Sequence, residues 1–280
     1  MGTSRNRKGA VEARGRRRSG GPIRRPTYTG HMLRMFTRSV LVIAGSVAIA
    51  MTGSVATGSA AISTPPAVTS IAPGTGDVVG VAMPLTVRFA APVDNRFAAQ
   101  RSLRITSPNT PDGEFTWLSD SVMQWTPTGF WPAHSPISVG AGDFMTEFRT
   151  GASVVSVADI DAYTFTVSID DEVVREMPAS MGKAKFPTPQ GTFRVLGKES
   201  VVVMDSRTIG IPLDDPEGYK LTVYDAVRIT WGGVYVHGAP WSTGSQGYAN
   251  VSHGCINLSP DNADWYFNTV GMGDPVIVQA

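Results

Sequence analysis

The residues best suited to chemistry crowd into one stretch, Tyr235 to Asn257. It reads Y-V-H-G-A-P-W, then S-T-G-S-Q-G-Y-A-N-V, then S-H-G-C-I-N, and it holds the single cysteine of the chain and two of its four histidines. A thiol becomes a nucleophile when it ionises, and a neighbouring imidazole can take its proton. Cys255 has two such candidates. His253 lies two residues away, and in an extended chain such neighbours point to one face. His237 ends a predicted strand, at a sequence distance suited to a loop that folds back. Gly254 permits a tight backbone beside the sulfur, where successive N–H groups could converge on a developing oxyanion. Two other readings compete with an activated thiol. In one, Cys255 is a buried hydrophobe and both histidines are structural donors. In the other, His237, His253 and Cys255 bind zinc, although the first spacing is long and a fourth ligand is not evident. The thiol reading gains from a cysteine that is unique, flanked by Gly and His, and followed by the polar Asn257.

The elements that must position this stretch are mainly strands. Between residues 151 and 280, alternating patterns predict strands over Val154–Val157, Tyr163–Ile169, Glu172–Met177, Thr192–Val195, Lys220–Val223, Arg228–Trp231, Val234–His237 and Val276–Gln279. One helix is expected over Ser259–Val270, with Ser259 as N-cap, Pro260 in the first position and Gly271 as its stop. Residues 66–150 form a separate β-rich unit. Its predicted strands are Leu85–Ala90, Ser102–Thr106, Glu114–Leu118, Val122–Thr126, Ile137–Val139 and Glu147–Thr150, punctuated by Pro and Gly. Short strands at this spacing suit an immunoglobulin-like sandwich without a disulfide. Trp117, Trp125, Phe130 and Trp131 are its expected core and domain-packing aromatics. Residues 62–76 (ISTPPAVTSIAPGTG) read as a linker into that unit. The fold class expected is therefore mainly β, an Ig-like sandwich followed by a β-rich domain with one short helix.

Charge is unevenly divided. Residues 1–38 hold 11 Lys/Arg and one acid, leaving 13 basic against 22 acidic residues in the rest. A nucleic-acid binder would carry its basic patch in the folded part, so that class is excluded. A single cysteine excludes an intrachain disulfide and any multi-Cys metal site. The basic opening, the uncharged run Ser39–Met51 and the small residues TGSVATGSAA are the three parts of a secretory signal. Residues 1–61 are thus expected to direct export, with Met32 and Met35 as alternative starts. Left uncleaved, the segment would be a membrane anchor.

His237, fourteen intervening residues and Ser252-His253-Gly254-Cys255-Ile256-Asn257 together resemble the signature of the L,D-transpeptidase catalytic domain family. The likeness extends to Met177–Gly182, Pro187–Phe193, Trp241 and Ser259–Tyr266, and it is greatest to the actinobacterial branch, in which an Ig-like domain precedes the catalytic one. It covers roughly residues 66–279. The resemblance implies a cofactor-free cell-wall enzyme whose partners are peptidoglycan tetrapeptide stems, as donor and acceptor, and carbapenem-type β-lactams as covalent inhibitors. It implies attack by a cysteine on the bond between diaminopimelate and the terminal D-Ala, a thioester, and a 3→3 cross-link. By the same resemblance Cys255 is the nucleophile, His237 the base, and the Gly238 carbonyl orients its ring. His253 supports the loop and the sulfur. The N–H groups around Gly254 and Cys255, with the Tyr219 hydroxyl, hold the oxyanion. Met204 and Tyr219 match a lid-like segment, while Trp241, Ser252 and Asn257 line or brace the pocket. Water or another amine resolving the thioester would give an L,D-carboxypeptidase, a protein-anchoring enzyme or an amino-acid exchanger. A non-catalytic wall-binding protein is the reading of another class, and an intact Cys255/His237/His253 set argues against it.

Overall fold

The computed structural model describes residues 64–280; the basic segment and the apolar run expected to direct export lie outside the described residues. The first β-rich unit is made of β1 (Val68–Ala72), β2 (Val78–Val79), β3 (Leu85–Phe89), α1 (Arg96–Ser102), β4 (Leu103–Thr106), β5 (Gly113–Trp117), β6 (Val122–Pro127), β7 (Pro136–Ala141) and β8 (Phe144–Thr150). Two four-stranded sheets, ordered β1-β3-β6-β5 and β2-β8-β7-β4, enclose one core. Alternation decides which residues enter it: Leu85, Val87 and Phe89 point inward from β3, as do Ile137 and Val139 from β7. Aromatic packing fills the centre of this sandwich. The Trp131 ring lies 5.3 Å from Trp125 and 6.5 Å edge-on to Phe148, and its indole N–H donates to the Met83 carbonyl. Trp125 and Trp131 are buried, whereas Phe130 is 40 % exposed and is not core.

The second unit comprises β9 (Val154–Asp159), β10 (Thr164–Ile169), β11 (Glu172–Pro178), β12 (Gly191–Arg194), β13 (Gly197–Asp205), β14 (Lys220–Arg228), β15 (Tyr235–Gly238), β16 (Ile256–Leu258), α2 (Pro260–Thr269) and β17 (Pro275–Gln279). One sheet runs β11-β10-β9-β17-β12 and the other β13-β14-β15-β16. Phe165, Val167, Met177, Val227, Val236, Ile256, Leu258 and Tyr266 belong to a single core cluster that joins the sheets and α2. Tyr266 is wholly buried, meets Phe165 edge-on at 4.9 Å, and shares a hydrogen bond with Ser156. Ser259 caps α2 by accepting from the Asn262 N–H.

Several elements depart from the sequence expectation. Strand β1 lies within the stretch read as linker. Helix α1 has no predicted counterpart, although Asn95 caps it by accepting from the Ala98 N–H. The pieces expected at Lys220–Val223 and Arg228–Trp231 are not two strands. β14 runs continuously to Arg228 through Asp225, whose φ of +53° bends it, and Thr230–Gly233 then form a turn. Its partner β13 was not expected. Helix α2 ends one residue before Val270, which is extended and donates to Tyr266, so the helix stops before Gly271.

The two units meet along backbone. The Gly80 and Ala82 N–H groups donate to the carbonyls of Met272 and Gly273 at 2.8 and 2.9 Å. A Cβ on Gly80 would sit 2.2 Å from the Asp274 nitrogen, so only glycine fits there. His134 pairs with Asp170 across the same boundary at 2.8 Å. Asp274 is buried beside this junction and accepts from the Gly271 N–H at 2.7 Å. Burial pushes its carboxyl up to about 6, against the pull of that bond and of Lys198. The folded value exceeds the unfolded one of about 3.9. The site's contribution to stability is therefore full below about pH 4 and is lost as pH rises through about 6. Asp274→Asn should remove this dependence: relative to the parent, its unfolding free energy should gain on the order of 2 kcal/mol between pH 4 and pH 7.5. Urea unfolding at both pH values checks this, and a constant difference would contradict it.

Candidate active site

Parallel pairing of β15 with β16 sets the geometry. Val236 lies opposite Ile256, and His237 opposite Asn257. Side chains alternate along a strand, so Tyr235 and His237 share a face with Cys255 and Asn257. Val236, Ile256 and Leu258 take the opposite face, where all three enter the core. A hydrophobic requirement on one side of the sheet thus fixes the polar set on the other.

Each member of that set is further held. The His237 ring is buried, and its Nδ1 lies 2.9 Å from the Gly238 carbonyl. A carbonyl only accepts, so Nδ1 carries the proton and Nε2 of the neutral ring is left basic. Burial pushes the imidazole down to about 4, with the Gly238 bond opposing. Cys255 is partly exposed as a residue, yet desolvation pushes its thiol up to about 11, against a bond from the Tyr235 backbone. Its sulfur lies 3.7 Å from the Gly233 carbonyl. Thiol and imidazole are therefore both neutral at rest.

The turn before the sulfur is built by Ser252 and Gly254. Ser252 Oγ donates to the Cys255 carbonyl at 2.7 Å and accepts from the Gly254 N–H at 3.0 Å. Gly254 adopts φ +118°, a conformation side chains rarely take. Its N–H, expected among the oxyanion donors, is committed to Ser252. Thr188, buried, donates to the Gly254 carbonyl at 2.9 Å and accepts from the Gly182 N–H at 2.8 Å. Asn257 donates to Ser242 Oγ, and Gln246 donates to the same oxygen and to the Ala239 carbonyl, fixing the loop that carries Trp241. The Trp241 ring lies 6.1 Å from His237.

His253 is held away from the role of a thiol base. Its Nε2 lies 3.0 Å from Glu217, and its ring is flanked by Phe186 at 4.7 Å and Tyr219 at 4.9 Å. Burial, then Lys183, lowers its pKa, while Glu217 opposes. Glu217 also pairs with Lys183 and lies 3.8 Å from Lys185. Sequence reasoning did not find Glu217, Thr188 or Gln246. Glu217 and Thr188 act across a fold contact rather than within a motif, and Gln246 acts within its own loop.

Strand β14 pairs with β15 only through Val227 and Arg228; the rest of it pairs with β13 as an overhanging hairpin. Two cavities meet at Cys255 beside that hairpin. One, of about 330 Å³, is lined by His237, Trp241, Ser252 and Asn257. The other, of about 380 Å³, runs past Arg228, Trp231, Gly233 and Tyr235. Met204, Tyr219 and His253 border both. Among the described residues no three or more His, Cys, Asp or Glu side chains gather as a metal site.

Two measurements test this geometry. In ¹⁵N NMR the His237 ring should stay neutral, with its proton on Nδ1, down to below pH 5; titration near the ordinary value of about 6.5 would contradict the assignment. Thr188→Val leaves two buried backbone groups unpaired and should cost about 1–3 kcal/mol in chemical unfolding. Thr188→Ser, which keeps the hydroxyl, should cost less.

Residues 153–278 match the L,D-transpeptidase catalytic domain, and residues 44–142 match a bacterial Ig domain. The chain is 56 % identical to L,D-transpeptidase 1 of Mycobacterium tuberculosis over 213 residues, spanning 76 % of this chain and 85 % of that protein. Among solved structures, an L,D-transpeptidase from Mycobacterium smegmatis is 69 % identical with a TM-score of 0.75, covering 78 % of this chain and all of the other. The structure of the transpeptidase LdtMt1 in complex with imipenem is 56 % identical with a TM-score of 0.72, covering 76 % and 99 %. The paired His237 and Cys255 strands and the preceding β-sandwich thus belong to a chain that is a member of the L,D-transpeptidase family.

Proposed function

We propose that this enzyme forms 3→3 cross-links between diaminopimelate residues of peptidoglycan stems through a thioester on Cys255. The observation that carries this reading is the His237–Gly238 hydrogen bond, which leaves a basic Nε2 on a ring that lines one cavity with Cys255. His237 takes the thiol proton as sulfur adds to the carbonyl carbon of the third residue of a donor stem. The carbon–nitrogen bond to the terminal D-Ala then breaks, and the imidazolium returns its proton to the leaving amine. The side-chain amine of a second stem attacks the thioester and gives up a proton to His237. Sulfur leaves and is reprotonated. The Cys255 N–H and the Tyr219 hydroxyl stabilise the oxyanion in both halves, and His253 braces the loop between them. Two cavities converging on one sulfur give room for two stems.

A strained β-lactam offers the same electrophile, so a carbapenem acylates the thiol with ring opening. The site of action is the cell wall, to which the basic and apolar N-terminal segments direct the chain, secreted or held by an uncleaved anchor.

Mass spectrometry of the purified enzyme tests the reading. Incubation with a disaccharide-tetrapeptide should yield a dimer with loss of D-Ala. Imipenem should add its whole mass to the peptide containing Cys255. Cys255→Ala should abolish both while the fold persists. Hydrolysis without dimer would assign a carboxypeptidase instead, and label on Ser252 or cross-linking by the alanine variant would refute the mechanism.

A further inference from the structure

Glu217 lies in neither catalytic strand, yet three elements meet on its carboxylate. It accepts from His253 Nε2 at 3.0 Å, beside the nucleophile; it pairs with Lys183, in the segment after β11; and it sits two residues before Tyr219. The loop that presents it is built with care. Asp215 Oδ1 accepts from the Glu217 N–H at 2.8 Å, and the Asp215 carbonyl accepts from the Gly218 N–H at 2.8 Å. A Cβ on Gly218 would meet the Pro212 carbonyl at 2.4 Å, so the chain crosses itself there closely. At the neck, the buried Ser206 donates its N–H to the Tyr219 carbonyl at 2.9 Å and accepts from the Tyr219 N–H at 3.0 Å. This loop joins β13 to β14, the overhanging hairpin beside the cavities. On the other side, Thr188 ties the segment that follows Lys183 to the Gly254 carbonyl.

We propose that Glu217 is a positioning residue: its carboxylate holds the His253 ring as the Nε2–H tautomer and, through Lys183, latches the Tyr219 loop onto the turn that carries Cys255. The inference rests on the thioester reading for its effect on rate. A carboxylate can only accept, so the imidazole must place its proton on Nε2 to satisfy it. With that bond made, the ring stays between Phe186 and Tyr219, and the tyrosine keeps its place on the cavity walls it shares with Cys255. Without it, ring and loop lose their shared anchor and the oxyanion donors lose registration. Glu217 lines neither cavity at Cys255, so its effect comes through His253 and Tyr219, which border both, and is read in the acylation rate.

Two readouts on the full chain test this. In the first, ¹⁵N NMR of the parent enzyme at pH 7.5 should find His253 neutral with its proton on Nε2, assigned by loss of the signals in His253→Gln. A proton on Nδ1 overturns the proposal whatever any variant does. In the second, imipenem acylation is followed for Glu217→Ala and Glu217→Gln. The alanine variant should acylate about 10- to 100-fold more slowly, the range expected when reacting groups lose alignment. It should also show mixed His253 tautomers. The glutamine variant keeps an acceptor oxygen and should recover part of the rate with the Nε2–H tautomer intact. An alanine variant within twofold of the parent rate, or slowed with the tautomer unchanged, overturns the proposal. If the parent enzyme itself were not acylated, the thioester reading would fail, and the tautomer measurement would still decide the fate of the latch.

Discussion

Everything at the site depends on one short parallel contact, three residues of β15 against three of β16. Parallel strands pair without a hairpin, so the chain must leave after Gly238 and return to Ile256 by a crossover. The intervening residues are therefore obliged to form a long loop, and that loop walls the first cavity. The pairing also sets a parity. Moving either strand by one residue would send Val236 or Ile256 into the pocket and His237 or Cys255 into the core. Such a slip would take the aliphatic side chains out of the core cluster and cost the buried imidazole its bond to the Gly238 carbonyl, which makes it unfavourable. The active-site register is thus enforced by hydrophobic packing on the far side of the sheet.

This division explains what the sequence disclosed. Tyr235, His237, Cys255 and Asn257 were legible because alternation and a compact motif put them within reach of each other. The Ig-like half was legible in outline from strand spacing, and comparison with known domains agrees on the class. α2 was legible to within a residue because Ser259 and Pro260 mark its start locally. β13 was not, since its run of Val201–Val203 between charged residues has no turn signals of its own. Its identity comes from pairing with β14 over eight partners. The bend at Asp225 hid the continuity of β14 for the same reason: a positive φ at an aspartate leaves no mark in a hydrophobic pattern.

The supporting residues were invisible for a related cause. Thr188 and Gln246 look like ordinary loop polar residues, and Glu217 like one more acid in D-D-P-E-G. The roles of Thr188 and Glu217 exist only once Gly254 and His253 are brought to them, and that of Gln246 only once its loop turns back on Ser242 and Ala239. Ser252 was expected to line or brace the pocket, and the brace it supplies is specific: one hydroxyl closes the turn around Gly254 by donating to the Cys255 carbonyl and accepting from the Gly254 N–H. Spending the Gly254 N–H in this way narrows the backbone donors near the sulfur to those that follow it.

The neutral resting thiol carries a consequence for selectivity. Desolvation holds the thiol well above its ordinary value, so the thiolate is a minor form at neutral pH. Peroxides, alkylating agents and disulfides all attack the thiolate, and each must wait for that rare form. In the proposed mechanism an acyl donor that docks beside His237 need not wait, because the imidazole withdraws the proton as the bond to sulfur forms. The chain holds no second cysteine to resolve an oxidised one, so desolvation of the sulfur works as a chemical filter. On that mechanism, reactivity of the sulfur is conditional on an occupant in the pocket.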